Sequence, residues 1–203
     1  VTARIAVLDY GTGNLHSVAR ALAKVGADAV VTGDASAVDR ADALVIPGVG
    51  HFGACMKALR AAGLDTVTLA FVASGRPVVG ICVGMQILFE GSEEDDEEGL
   101  CVLSGCSRRL PADVKVPHMG WNTVTWSRPH PYTSGIPNDT AFYFVHSYAP
   151  DITDTTLGVA RHGRPFAAAV AREHTFATQF HPEKSGEAGL HLYENVVREV
   201  RAA

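Results

Sequence analysis

The sequence predicts an α/β fold: a mixed, mostly parallel central sheet flanked by helices, with a small antiparallel flap in the C-terminal half. Three observations predict it. Up to Gly91, short apolar runs rich in β-branched residues alternate with stretches of helical pattern, the order that produces parallel strands joined by crossovers. Several of these runs end in glycine-rich turns, where open α/β sheets bind ligands. After Gly91 the texture changes to short β-pieces separated by turn residues. At 203 residues, with 47% hydrophobic and 19% charged content, the chain fits one domain over residues 1–203.

Each element has its own signal. Ile5 to Asp9 reads as a buried strand, followed by the turn Tyr10-Gly11-Thr12-Gly13-Asn14. Asn14 is the expected N-cap of a helix from Leu15 to about Val25. The G-x-G of that turn invites a dinucleotide reading. His16 stands where the third glycine of the fingerprint belongs, which argues against it. Ala29 to Val31 and Ala43 to Ile46 read as strands, with Asp39 to Asp42 between them. The second leads into the rigid loop Pro47-Gly48-Val49-Gly50. Phe52 to Ala62 and Asp65 to Ala73 carry helical patterns, ending before Gly75 and Pro77. Val78 onward is a buried strand that turns at Cys82 into a helix through Gln86, Ile87 and Leu88.

The six-carboxylate run Glu93 to Glu98 reads as a solvated loop, since like charges this close repel and extend. It accounts for the net charge of −5; without it 16 acidic residues face 17 basic ones. A near-neutral body suggests neither nucleic acid nor an anionic membrane as partner. Strand candidates follow at Cys106 to Leu110, Asn122 to Trp126, Ala141 to Tyr148, Thr156 to His162, Phe166 to Arg172 and Thr175 to Phe180. The stretch Gly158 to Gln179 has hairpin character. Leu190 to Arg201 closes the chain as a helix with Leu190, Tyr193, Val196, Val197 and Val200 inward.

The N-terminal residues lack a signal-peptide pattern, and no apolar run is long enough to span a bilayer, so a cytoplasmic location is expected. The cysteines Cys55, Cys82, Cys101 and Cys106 include no C-x-x-C pair. Reduced thiols are expected, with no metal site and no cofactor.

Two stretches carry chemistry. In Gly80-Ile81-Cys82-Val83-Gly84, Cys82 sits at a strand-to-helix joint, the nucleophile-elbow pattern with Cys in place of Ser. The alternative is a small buried hydrophobe, since free Cys is among the most buried residues. Late in the chain stands Gln179-Phe180-His181-Pro182-Glu183-Lys184-Ser185. In an extended segment His181 and Glu183 share a face, so the carboxylate can fix the imidazole tautomer and favour a thiolate at Cys82. A strand-end polar pair is the alternative. The H-x-E pattern of zinc deaminases is excluded, because no P-C-x-x-C follows.

Taken together, Gly80-x-Cys82-x-Gly84-x-Gln86 and His181-Pro182-Glu183 resemble the class I, or triad, glutamine amidotransferases. The resemblance covers essentially the whole chain. Asp9 to Asn14, Pro47 to Gly53, Pro117-His118-Met119-Gly120-Trp121-Asn122 and Phe180 to Ser185 are closest to the members that serve histidine biosynthesis. It implies glutamine as substrate, Cys82 as nucleophile, His181 as base and Glu183 as its orienting group. It implies oxyanion donors at Val83 and in the loop at Val49 and Gly50, and substrate contacts from Gly50, Gln86, Ser147 and Tyr148. It also implies a heterodimer with a (βα)8-barrel cyclase that receives the ammonia. Asn14, Met119, Trp121, Asn122, Tyr143 and Lys184 are expected at or near that partner face, with Met119 and Trp121 in a Pro/Gly-flanked loop. Cys101, where another glycine is usual, and the long acidic run depart from the pattern away from the chemistry.

The competing readings are a glutaminase of pyridoxal phosphate, anthranilate or purine synthesis, a different cysteine hydrolase, or a partner-binding module without activity. Pro117 to Asn122 weighs against the first, Gln86 with His-Pro-Glu against the second, and the presence of both nucleophile and base against the third.

Overall fold

The computed structural model describes residues 2–202. Strand β1 (Arg4–Leu8) leads into α1 (Leu15–Lys24), β2 (Asp28–Thr32), α2 (Ala35–Asp39), β3 (Ala43–Gly48), α3 (Phe52–Ala61) and α4 (Leu64–Ala73). The short α2 falls in the interval read from sequence only as a connection. Asp34 caps it, accepting from the Ser36 N–H, a local signal easily hidden in five residues. Next come β4 (Val78–Cys82), the one-turn helix α5 (Val83–Gln86), β5 (Gly91–Ser92), β6 (Cys106–Arg109) and β7 (His118–Trp126). The chain ends with β8 (Thr140–His146), β9 (Tyr148–Pro150), β10 (Thr156–His162), β11 (Arg164–Arg172), β12 (Thr175–Thr178) and α6 (Gly186–Ala202).

Nine strands form one sheet in the order β2-β1-β3-β4-β12-β11-β10-β7-β8. The five from β2 to β12 are parallel, and the rest are antiparallel. The antiparallel strands thus extend the central sheet, while β5, β6 and β9 make a separate three-stranded sheet. Residues Ile5 to Leu8, Ala43 to Ile46 and Val78 to Ile81 are buried throughout, as strands covered on both faces must be. The helices fall into two packed groups, α1 with α6 and α4 with α2 and α3. On α6 the buried stripe includes Leu192 and Asn195 besides Tyr193, Val196, Val197 and Val200, while Leu190 is only half-buried.

Three local departures from expectation bear on the site. Helix α5 stops after one turn. Leu88 and Phe89 donate to the carbonyls three residues back, and the carbonyls of Ile87, Leu88 and Phe89 are taken by the N–H groups of Leu100, Leu103 and Cys101. With its acceptors used across the chain, the helix cannot propagate. The motif Pro117 to Asn122 lies largely on β7 rather than in a loop, with buried and exposed positions alternating along the strand. Finally, the stretch Ala141 to Tyr148 is not one strand. It breaks at Ser147, whose carbonyl accepts from Leu110 N–H, and Tyr148 continues in the small sheet.

The acidic run is a turn fastened to its surroundings, not a freely solvated loop. Glu93 pairs with Arg108, Glu97 with Arg60 and Lys57, and Glu94 accepts from the Phe52 N–H at 2.8 Å. Opposite charges on α3 and β6 offset the repulsion that sequence alone would predict to extend it.

Candidate active site

The site lies at the carboxyl ends of adjacent parallel strands. Gly48 pairs with Cys82 between β3 and β4, and Ile81 pairs with Thr178 between β4 and β12. That register sets Cys82 beside Gln179 and His181, although they are far apart along the chain.

Cys82 has φ 56° and ψ −113°, a strained conformation for a non-glycine residue. The elbow is possible because Gly84 has no side chain. A Cβ there would collide with the Ile46 carbonyl. Burial leaves Cys82 only 3% exposed. A one-turn helix supplies little dipole, so the sulfur's environment is set by specific neighbours instead. Its Sγ lies 3.8 Å from the Val145 carbonyl oxygen and 3.6 Å from Nε2 of Gln179.

His181 and Glu183 meet as expected, but by a different route. Strand β12 ends at Thr178, and Pro182 to Lys184 form a 3₁₀ turn. Pro182 suits the first position of that turn, where no N–H is needed. His181 Nδ1 then lies 2.8 Å from Glu183 Oε1, with both side chains essentially buried. Nε2 of His181 is buried with no hydrogen-bond partner. Burial opposes the imidazolium, yet attraction to the Cys82 sulfur and then to Glu183 outweighs it and pushes the His181 pKa up to about 10. Asn14 donates to Glu183 Oε1 at 3.3 Å. Its side chain makes no capping bond to α1, so it steadies the carboxylate and not the helix.

The loop after β3 is held from behind. The Val49 carbonyl accepts from Thr12 Oγ1 at 3.2 Å and from Cys55 Sγ at 3.4 Å. The Val49 N–H makes a long 3.5 Å contact with Thr12 Oγ1. Val49, expected among the oxyanion donors, lines the cavity with Gly50 while its N–H faces Thr12 in this structure. The trans peptide directs the Gly50 N–H opposite to the Val49 carbonyl. The Val83 N–H opens α5, where first-turn donors lack intrahelical partners.

Cys82, His181, Gly50, Gln86, Ser147 and Tyr148 all line one cavity of about 540 Å³. Gln86 gives Nε2 to the Tyr148 carbonyl and to Gln179 Oε1, each at 2.9 Å. Its Oε1 is buried and unpartnered. Asn14 and Lys184 line the same cavity. Beside it, Met119 and Trp121 are 62% and 59% exposed. Trp121 packs edge-on to Tyr143 at 6.1 Å, and Lys184 Nζ lies 5.9 Å from the Tyr143 ring centre. Asn122 does not join this surface. Strand alternation turns it to the other face, where it contacts His118 and donates to the Arg161 carbonyl.

Sequence reasoning passed over Gln179, Thr12, Cys55 and His146. Only Gln179 carried a usable signal, since it stands two residues before His181. All four cysteines are free. Among the described residues no helix is long and apolar enough to cross a membrane.

The chain is similar to known proteins along nearly its whole length. Residues 6–200 match the family described as glutamine amidotransferase class-I. The chain is 49% identical to the imidazole glycerol phosphate synthase subunit HisH of Thermobifida fusca, over 96% of this chain and 97% of that one. It is 48% identical to the HisH subunit of Streptomyces coelicolor, over 95% and 91%. Among solved structures, PurLQS from Thermotoga maritima superposes with a TM-score of 0.79 at 17% identity, over 98% of this chain and 100% of that one. A crystal structure of a glutamine amidotransferase gives 0.72 at 22% identity, over 98% and 99%. These last two bear on the fold alone. Sequence, fold and the family match together show that the chain belongs to the class-I glutamine amidotransferases.

Proposed function

We propose that this chain hydrolyses the side-chain amide of glutamine and passes the ammonia to a (βα)8-barrel cyclase that forms imidazole glycerol phosphate. One observation carries the reading: Cys82, on a strained elbow, shares a cavity with His181, whose Nδ1 is held by Glu183. The HisH name of relatives at 46–49% identity favours this pathway over other glutaminases.

The chemistry follows from the geometry. The Cys82 thiolate adds to the carboxamide carbon of glutamine. Negative charge on the carbonyl oxygen meets the N–H groups of Val83 and Gly50; losing one such donor costs about 10²–10³ in rate. The C–N bond breaks as His181 Nε2 gives its proton to the leaving nitrogen, which departs as ammonia. Water then attacks the glutamyl thioester, His181 takes the water's proton and returns it to sulfur, and glutamate leaves. Gln86 Oε1 is free to accept from the substrate amide. Met119, Trp121, Tyr143 and Lys184, beside the cavity, form the face for the cyclase.

The test is glutamate release by the purified heterodimer. Cys82→Ser and His181→Ala each lower it by at least about 10³-fold, because nucleophile and base act as a unit. Glu183→Ala is less damaging, and all three variants still bind the partner. Release is low from the isolated chain and rises with the nucleotide-loaded cyclase. Persistent hydrolysis by Cys82→Ser, or equal turnover with and without partner, would overturn the reading.

A further inference from the structure

We infer that Gln179 is a further catalytic residue: its side-chain amide donates to the Cys82 sulfur and stabilises the thiolate. The inference rests on Cys82 being the nucleophile. Gln179 is completely buried and follows β12, the strand paired with β4. Its Nε2 lies 3.6 Å from Cys82 Sγ.

The orientation of this amide is dictated by its neighbours. A backbone carbonyl can only accept, so the group of Gln86 that meets the Tyr148 carbonyl must be its NH₂. The same NH₂ reaches Gln179, so the atom it meets there is the oxygen. That leaves the Gln179 NH₂ aimed at sulfur. The Tyr148 carbonyl is fixed in turn. It accepts from His146 Nδ1 at 2.9 Å, His146 Nε2 therefore accepts from His118 Nδ1 at 2.9 Å, and His118 Nε2 accepts from Asn122 Nδ2 at 3.2 Å. Both imidazoles are kept neutral, chiefly by burial, so each holds a single tautomer. A chain of hydrogen bonds thus runs from β7 to the nucleophile, converging on the Tyr148 carbonyl from His146 and from Gln86, and Gln86, His146 and His118 are positioning residues for Gln179.

The sulfur has two kinds of neighbour. The Val145 carbonyl, at 3.8 Å, can accept from the neutral thiol only. The Gln179 amide favours the anion, together with the His181 imidazolium held by Glu183. Other titratable groups around this site are buried Tyr10 and Cys55, His146 facing His181, and Glu94 and Lys184, which line the cavity. Removing the amide leaves the carbonyl unopposed on its side of the sulfur.

The experiment follows iodoacetamide alkylation of Cys82 against pH, reading the Cys82 peptide by mass spectrometry so that exposed Cys101 does not interfere. Gln179→Met keeps length and removes the donor. Its half-maximal pH moves up by about one unit, the size expected for a hydrogen bond to a charged group, and kcat falls about tenfold with KM little changed. Gln179→Glu still accepts from Gln86 but turns a carboxylate toward sulfur, so its midpoint also moves up. A folded Gln179→Met with an unmoved midpoint overturns the inference. Should that variant fail to fold, an unmoved or lowered midpoint in Gln179→Glu does the same. Alkylation is read without glutamine. Hydrolysis by Cys82→Ser would therefore sink the nucleophile assignment, while a static midpoint sinks only the role of Gln179.

Discussion

His181 is under opposing demands. Burial disfavours its positive charge, while the neighbouring sulfur and Glu183 demand it, and the balance lifts its pKa to about 10. A pKa raised above the unfolded value of about 6.5 stabilises the fold fully below that value. The contribution disappears as pH climbs through about 10. Thermal melts should therefore show the wild-type chain losing stability between neutral pH and pH 10 more steeply than His181→Gln. Parallel curves would mean that the imidazole carries no net charge in the folded protein.

At the scale of elements, the crossing of β3 by the β4–α5 elbow leaves no room at Gly84. Gly84→Ala must push α5 away from β3, at a cost of about 3 kcal/mol; a urea midpoint within error of wild type would refute this close approach. The β7–β8 pair supplies a second case. It buries His118 and His146 side by side, and their pKa values fall to about 4 and about 3, burial being the larger cause in each. Both must gain protons on unfolding, so stability is present above about pH 6.5 and is lost as pH falls toward the folded values. His118→Phe should flatten the loss of stability between pH 7 and pH 4.5. An acid limb as steep as wild type would show that these rings do not titrate on unfolding.

For the whole molecule, exposed Met119 and Trp121 share β7, where Met119 pairs with Val145, a lining residue of the cavity that holds Cys82. Large aromatic anchors dominate protein interfaces, and truncating one typically costs 2 kcal/mol or more, about a thirtyfold loss of affinity. Trp121→Ala should weaken cyclase binding by that amount in titration calorimetry while leaving the melting temperature nearly unchanged, because the ring is largely in solvent. Unaltered affinity would move the docking surface elsewhere.

The sequence by itself determined the alternation of strands and helices, the elbow at Cys82 and the family, because glycine placement and short-range patterns are written locally. The glycines around Cys82 announce a tight joint whatever surrounds them, and the apolar runs of the parallel strands announce burial on both faces. Tertiary structure decided the rest. It cut α5 to one turn by giving the carbonyls of the next three residues to N–H groups between Leu100 and Leu103, moved Met119 and Trp121 onto a strand, and turned Asn122 away from them. It also put Gln179 against the sulfur. Each of these outcomes depends on which strand pairs with which, and in what register. A hydrogen bond between residues nearly a hundred positions apart leaves no periodic trace in a single chain.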